Sequence, residues 1–285
     1  MKRFFRHVLS LIAVVALVFL PFYVKPIKVK AEIPSGFNYS STLVIRSKFY
    51  TSYENSSENR KSNIKLASKL LNDFFLDVGE EFSFNQVVGE RTEKRGFKNA
   101  KIIVNGEFID GVGGGVCQVS TTLYNAVLLA GLKVTEYHPH SLSVSYVSPS
   151  FDAMVSFGSA DLRFINNTKS PIIINAYAKE NRLTVYITGE KSIYRYERLS
   201  EIIEEIPFKI DKIIDDGSYP ELLIGEEKII SYGKNGLKSK GYLIKYRGEK
   251  VIEKRLIRID TYKSVNGVVV IGQTEREENL LEVLE

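Results

Sequence analysis

Cys117 is the single cysteine of a 285-residue chain, and its neighbours are those a nucleophilic thiol requires. It stands in Gly111-Val-Gly-Gly-Gly-Val-Cys-Gln-Val-Ser-Thr-Thr-Leu-Tyr-Asn-Ala126, at the junction of a glycine run and an apolar segment. Gly113, Gly114 and Gly115 let the backbone take positive φ and approach a substrate closely. Val119, Leu123, Ala126, Val127 and Ala130 recur at near-helical spacing up to Gly131, which predicts a helix with Cys117 at or near its N-terminus. The unpaired N–H groups and positive dipole end of such a helix favour thiolate over thiol and can hold an oxyanion. Gly115, Gln118 and Ser120 are the residues placed to contribute to that subsite. The competing reading is a buried thiol packed as a small hydrophobe, with the glycines serving only a tight turn.

A cysteine nucleophile also needs a base. His138 and His140 are the two histidines beyond residue 31, and either needs only to neighbour Cys117 in space. Asp152 and Asp161 are candidates to orient the imidazole, and Arg91 offers a forked guanidinium for a substrate carboxylate. Two histidines at i and i+2 with Cys117 could instead bind zinc. Against that, Pro139 interrupts the strand, and neither His-Glu-x-x-His nor paired cysteines are present. The acyl-transfer chemistry needs no metal or organic cofactor.

The elements that must position these groups follow in order. Residues 40–48 read as a strand. Ile64, Ala67, Leu70, Leu71, Phe74 and Phe75 recur at helical spacing behind a Ser62-Asn63 cap. Residues 100–104 and 107–110 flank Asn105-Gly106, a hairpin signal that delivers the chain into the glycine run. Segments 82–86, 132–137, 141–147, 151–157 and 161–167 read as strands, and 171–178 with 182–189 as a closing hairpin. Residues 191–204 read as a charged linker. Beyond it, short alternating strands separated by Gly225, Gly233, Gly236 and Gly248 suggest an all-β module at 205–273, then an acidic tail at 274–285. The expected fold is α+β: a mixed catalytic domain at 40–190 with a helix carrying Cys117 at its N-terminus, followed by the small all-β module.

Residues 1–7 are positively charged, 8–20 are apolar apart from Ser10, and Val29-Lys30-Ala31 offers a cleavage site. Residues 1–31 therefore read as a signal peptide or, uncut, an N-terminal membrane anchor. The remainder is expected to work outside the cytoplasm, at the cell wall or membrane. A single cysteine there makes no internal disulfide, which sharpens the case for a reactive thiol. Six of the 39 Lys and Arg lie in the first 31 positions, which hold no acid, leaving 33 cationic against 34 acidic residues. Such a balance offers no basic surface for nucleic acid.

From about residue 42 to 189 the chain resembles the VanW domain. The resemblance rests on Arg60-Lys-Ser-Asn-Ile64, Gly79-Glu-Glu-Phe-Ser-Phe-Asn85, Val88-Gly-Glu-Arg91, the segment Gly113 to Ala126, His140-Ser141, Asp152-Ala153 and Asp161-Leu-Arg-Phe-Ile-Asn-Asn167. VanW is named from glycopeptide-resistance (vancomycin-resistance) gene clusters, and proteins with this domain are linked to a non-YkuD class of L,D-transpeptidases. The resemblance thus implies peptidoglycan cross-linking, with Cys117, His140 and Asp161 as the catalytic set and stem peptides as substrate. It favours His140 over His138 because the family motif carries a histidine just before Ser-Leu. Leu223-Ile-Gly225, Tyr232-Gly-Lys-Asn-Gly236, Gly248 and Val270-Ile-Gly272 resemble the G-five domain, which implies binding or spacing at the wall, with an N-acetylglucosamine-containing glycan as the ligand to expect. Two other readings stand beside this one: a non-catalytic peptidoglycan-binding protein, and a cysteine peptidase of stem peptides.

Overall fold

The computed structural model describes residues 43–104 and 106–275. The expected leader at 1–31, the tail residues 276–285 and Asn105 of the hairpin turn lie outside the described residues.

The first unit is organised around one helix. Strand β1 (Leu43–Ser52) leads to helix α1 (Glu58–Leu71), whose N-cap Ser57 accepts a hydrogen bond from the Arg60 amide. This start lies five residues before the Ser62-Asn63 cap expected from sequence. The side chains of Ile64, Ala67 and Leu71 are buried along one face of α1. The helix stops at Leu71, and Phe74–Leu76 forms the short strand β2. Strand β3 (Glu81–Ser83) runs directly into the short helix α2 (Phe84–Val88). The hairpin β4 (Asn99–Val104) and β5 (Glu107–Val112) then delivers the chain to helix α3 (Val116–Leu129). Strands β6 (Lys133–Glu136), β7 (Arg163–Ile165), β8 (Ile172–Lys179) and β9 (Arg182–Glu190) complete the unit.

These strands form a four-stranded sheet of order β1-β9-β8-β2, a three-stranded sheet of order β3-β7-β6, and the β4-β5 hairpin. Helix α3 is buried on almost every side. That works because its polar residues are all spoken for. Thr122 bonds to Thr51 of β1 at 2.9 Å, Ser120 donates to the Ala153 carbonyl at 2.6 Å, and Asn125 donates to the Phe151 carbonyl at 2.8 Å.

The second unit comprises β10 (Arg195–Ile206), β11 (Ile210–Ile214), β12 (Glu227–Ser231), β13 (Gly236–Arg247), β14 (Lys250–Tyr262) and β15 (Gly267–Ile271). They make two three-stranded sheets, β10-β13-β14 and β11-β15-β12. Residues 195–204 are thus not a linker but most of a strand, antiparallel to β13. Most of the charges that suggested a linker, Arg195, Glu197, Glu201 and Glu204, are exposed along it. On its inner side Arg198 lies over the rings of Phe49 and Phe151.

The α+β expectation is corrected by this architecture. Among the described residues 47% are strand against 16% helix, in several small sheets, so the chain is mostly β. The helical periodicities around α1 and α3 are the clearest in the sequence, but strand takes up about three times as many described residues as helix.

Candidate active site

Cys117 is the second residue of α3, half-buried and free of any disulfide. The glycine run is needed here for space as much as for conformation. A Cβ on Gly114 would lie 2.7 Å from the Lys101 carbonyl oxygen and 2.8 Å from that of Ala100. Gly115, the N-cap, has φ 105°, and a Cβ there would meet Arg60 and Ile64 of α1. The Val116 and Gln118 amides donate to the Gly113 and Gly115 carbonyls, at 3.1 and 3.0 Å. The Cys117 amide has no acceptor among the described residues, which leaves it available at the positive end of the helix dipole.

The segment from 137 to 160 crosses this helix end without joining a named strand. Residues 151–155 are pinned to α3 by its side chains. Besides the Asn125 and Ser120 bonds, the Ala153 amide donates to Thr121 at 2.9 Å and the Cys117 thiol donates to the Val155 carbonyl at 3.5 Å. The period-2 pattern at 151–157 therefore marks chain lying on a helix rather than sheet, and 141–147 is a bent loop rather than a strand. This course brings His140 and Asp152 together. His140 Nδ1 and the His140 amide both bond to Asp152 Oδ2 at 2.7 Å, with the His140 and Asp152 side chains 5% and 1% exposed. Donation by Nδ1 fixes the tautomer and leaves Nε2 for Cys117.

Electrostatics follow from this contact. Burial alone pushes the Cys117 thiol up, but a hydrogen bond from His140, that residue's charge and nearby Arg91 more than offset it, so the thiol lies below its ordinary value. Burial opposes protonation of His140, yet bonds to Asp152 and Cys117 raise it to about 9. Asp152 is held below the ordinary carboxylate value despite burial, chiefly by His140 and then by the Arg258 charge and Tyr262. The three groups favour a thiolate beside an imidazolium.

The remaining candidates fall in different places. Asp161 Oδ2 accepts from Ser83 Oγ at 2.5 Å and its Oδ1 from the Asn85 amide at 2.9 Å. Its carboxylate thus anchors the start of α2, and the contact with His140 belongs to Asp152. Both aspartates stand beside strand-like patterns, which is why the sequence did not separate them. His138 pairs with Glu136 at 2.9 Å. Gln118 is structural in its contacts: its Nε2 donates to Thr51 and the Ser52 carbonyl, and its Oε1 accepts from Arg60 at 2.7 Å. Ser120 is tied to Ala153.

Arg91 lies close enough to Cys117 for its charge to act on the thiol. Its Nη1 donates to Asn85 Oδ1 at 2.7 Å, while the buried Nη2 has no partner among the described residues. Arg60 and Tyr146, which sequence reasoning passed over as site residues, also neighbour the thiol. Only the Arg60 motif hinted at this. Arg258 and Tyr262 of β14 reach Asp152 from the second unit, and no local pattern links residues more than a hundred positions apart.

Fold and site together define a two-unit, mostly-β protein with a Cys-His-Asp constellation at the N-terminus of a buried helix. The family model described as "VanW like protein" matches residues 59–188, and that of the G5 domain matches residues 197–274. The chain carries a VanW-like domain followed by a G5 domain. It is 46% identical over 165 residues to the uncharacterized protein YoaR of Bacillus subtilis (strain 168), covering 57% of this chain and 54% of that one. It is 32% identical over 117 residues to the vancomycin B-type resistance protein VanW of Enterococcus faecalis (strain ATCC 700802 / V583), covering 39% and 42%. The chain thus spans about half the length of these relatives. Among solved structures, HP0197-G5 is 22% identical with a TM-score of 0.17, covering 28% of this chain and all of that one. The IgA1 protease G5 domain is 20% identical with a TM-score of 0.20, covering 29% and 89%.

Proposed function

We propose that this chain is a cell-envelope acyltransferase with a cysteine nucleophile, an L,D-transpeptidase that joins stem peptides of peptidoglycan. The observation that carries the reading is the line from Cys117 through His140 to Asp152 at the N-terminus of a buried helix. It supplies a thiolate, a proton carrier and an orienting carboxylate, together with a free amide for an oxyanion.

The Cys117 thiolate attacks the carbonyl carbon of the bond before a terminal D-alanine. The carbonyl oxygen becomes an oxyanion facing the Cys117 amide. As the C–N bond breaks, the His140 imidazolium gives its Nε2 proton to the leaving amine, and free D-alanine departs from a thioester. An amine of a second stem then attacks that thioester. Neutral His140 takes the proton of the incoming amine, the C–S bond breaks, and the thiolate and imidazolium are restored. The part-exposed guanidinium of Arg91, whose charge acts on Cys117, is the group that meets a carboxylate of the donor stem. The name of the Enterococcus relative, a vancomycin B-type resistance protein, and the G5 match support a wall polymer as the setting, with the chain acting outside the cytoplasm.

The test is to incubate the full chain with disaccharide-tetrapeptide stems and weigh the products. A species of two stems minus one D-alanine, absent with Cys117→Ala, is expected. Stems shortened but not joined would make the protein a peptidase. Unchanged stems and no protein adduct, with binding intact, would make it a wall-binding protein.

A further inference from the structure

The loop that carries both His140 and Asp152 is held largely by the other unit. Between residues 141 and 151 no strand forms, and the bonds that fix the segment come from strands and turns of the second unit. The Lys263 amide donates to the Ser141 carbonyl at 2.8 Å, Lys234 Nζ to the Ser143 carbonyl at 2.9 Å, and Ser200 Oγ to the Pro149 carbonyl at 2.8 Å. Ser150 Oγ bonds to Ser239 Oγ at 2.7 Å. Gly241 permits this approach, since a Cβ there would lie 2.9 Å from the Ser150 carbonyl oxygen.

Behind Asp152 the contact becomes specific. Asp152 Oδ2 faces His140, and its other oxygen, Oδ1, accepts from Tyr262 Oη at 2.6 Å and from Arg258 Nη2 at 3.3 Å. Arg258 Nη1 donates to the Asp152 main-chain carbonyl at 2.6 Å, and its Nε donates to Asp260 Oδ2 at 2.6 Å. Tyr262 Oη in turn accepts from the Ser150 amide at 2.8 Å. Arg258 and Tyr262 are 4% and 1% exposed, so bulk water has no room to replace them. An arrangement needed only to join two modules would not have to converge on the one carboxylate that orients the imidazole.

We infer that the G5 domain completes the active site: Arg258 and Tyr262 are positioning residues that hold Asp152 in register with His140, and through it keep Cys117 nucleophilic. The inference rests on the proposed role of Cys117, but its test needs no substrate. Other charged or titratable groups also bear on this set. Arg60 and Arg91 act on the thiol, Tyr146 on the thiol and Asp152, and Asp260 with Tyr124 on Arg258. None of them is altered in the experiment.

The rate of Cys117 alkylation by iodoacetamide is measured against pH in the full chain, with Tyr262→Phe, Arg258→Gln, Arg258→Lys and Asp152→Asn, folding being checked by circular dichroism. In the wild type the acidic midpoint should lie below that of an ordinary thiol. Tyr262→Phe and Arg258→Gln should raise it by about one pH unit, since each removes a donor to the charged carboxylate. Arg258→Lys should recover part of the shift, and Tyr262→Phe should add nothing on an Asp152→Asn background. A low wild-type midpoint left unmoved by folded Tyr262→Phe and Arg258→Gln keeps the nucleophile and overturns the positioning role. If Arg258→Gln does not fold, Tyr262→Phe, which keeps the ring, decides alone. A wild-type midpoint at the ordinary thiol value, unchanged by His140→Ala, overturns the proposed nucleophile and this inference with it.

Discussion

Replacing Asp152 by Asn keeps the shape of the side chain and removes its charge. The amide must then turn an N–H₂ either toward the His140 amide and Nδ1 or toward Arg258 and Tyr262, and each direction holds donors. His140 rises from 6.5 to about 9, and its bond to Asp152 is the largest of the contributions that raise it. At about 1.4 kcal/mol per unit that rise corresponds to roughly 3 kcal/mol of preference for imidazolium. Losing the leading contribution lowers the proton affinity of His140 and weakens the pairing of thiolate with imidazolium. The second-order rate constant for alkylation of Cys117 at pH 7 reads this pairing directly. Asp152→Asn should slow alkylation measurably, whereas Asp161→Asn, whose carboxylate serves Ser83 and Asn85, should leave it close to the wild-type rate. An Asp152→Asn protein that reacts at the wild-type rate, or an Asp161→Asn protein that is the slower of the two, would refute the reasoning.

Three further outcomes are expected. Thioester formation needs His140 protonated to release the leaving amine, and with His140 raised to about 9 the quenched-flow rate should hold level through neutral pH and fall as the pH rises through about 9. A fall centred near 6.5 would show an imidazole with no carboxylate behind it. Arg91→Gln removes a charge-assisted bond to a stem carboxylate, worth about 1.5–3 kcal/mol, so KM should rise at least about tenfold. Stems amidated at that carboxylate should show no difference between the two proteins. Gly114→Ala forces a methyl against the Lys101 and Ala100 carbonyl oxygens, which costs about 1–3 kcal/mol, and thermal denaturation should show the midpoint falling by several degrees.

What the sequence made legible was local. The glycine run, the apolar spacing after Cys117 and the scarcity of histidines pointed to one thiol and one or two bases, because each is a short-range feature of composition and period. The partner of His140 was not legible, since Asp152 and Asp161 sit in similar contexts and only the course of 141–160 over α3 separates them. Residues 151–157 alternate like a strand, yet the hydrogen bonds of Phe151 and Ala153 go to Ser120, Thr121 and Asn125 of the helix, an arrangement period-2 patterning cannot distinguish from sheet. The balance of the fold was misjudged for a related reason: two well-marked helices stand out against many short strands whose individual signals are weak. Residues 195–204 looked like a linker because their charges are many, although Tyr196, Arg198 and Ser200 are part-buried along β10. Arg258 and Tyr262 were invisible because their importance lies entirely in a contact across the two units.

The central claim is that Cys117 carries the acyl group. Intact-protein mass spectrometry of the full chain, quenched in acid after mixing with tetrapeptide stems and a poor acceptor, tests it most directly. The account predicts an added mass equal to the stem minus D-alanine, mapped to Cys117, released by hydroxylamine, abolished in Cys117→Ala and strongly reduced in His140→Ala. An unmodified Cys117 in a protein that still joins stems, or joined stems made by Cys117→Ala, would contradict it.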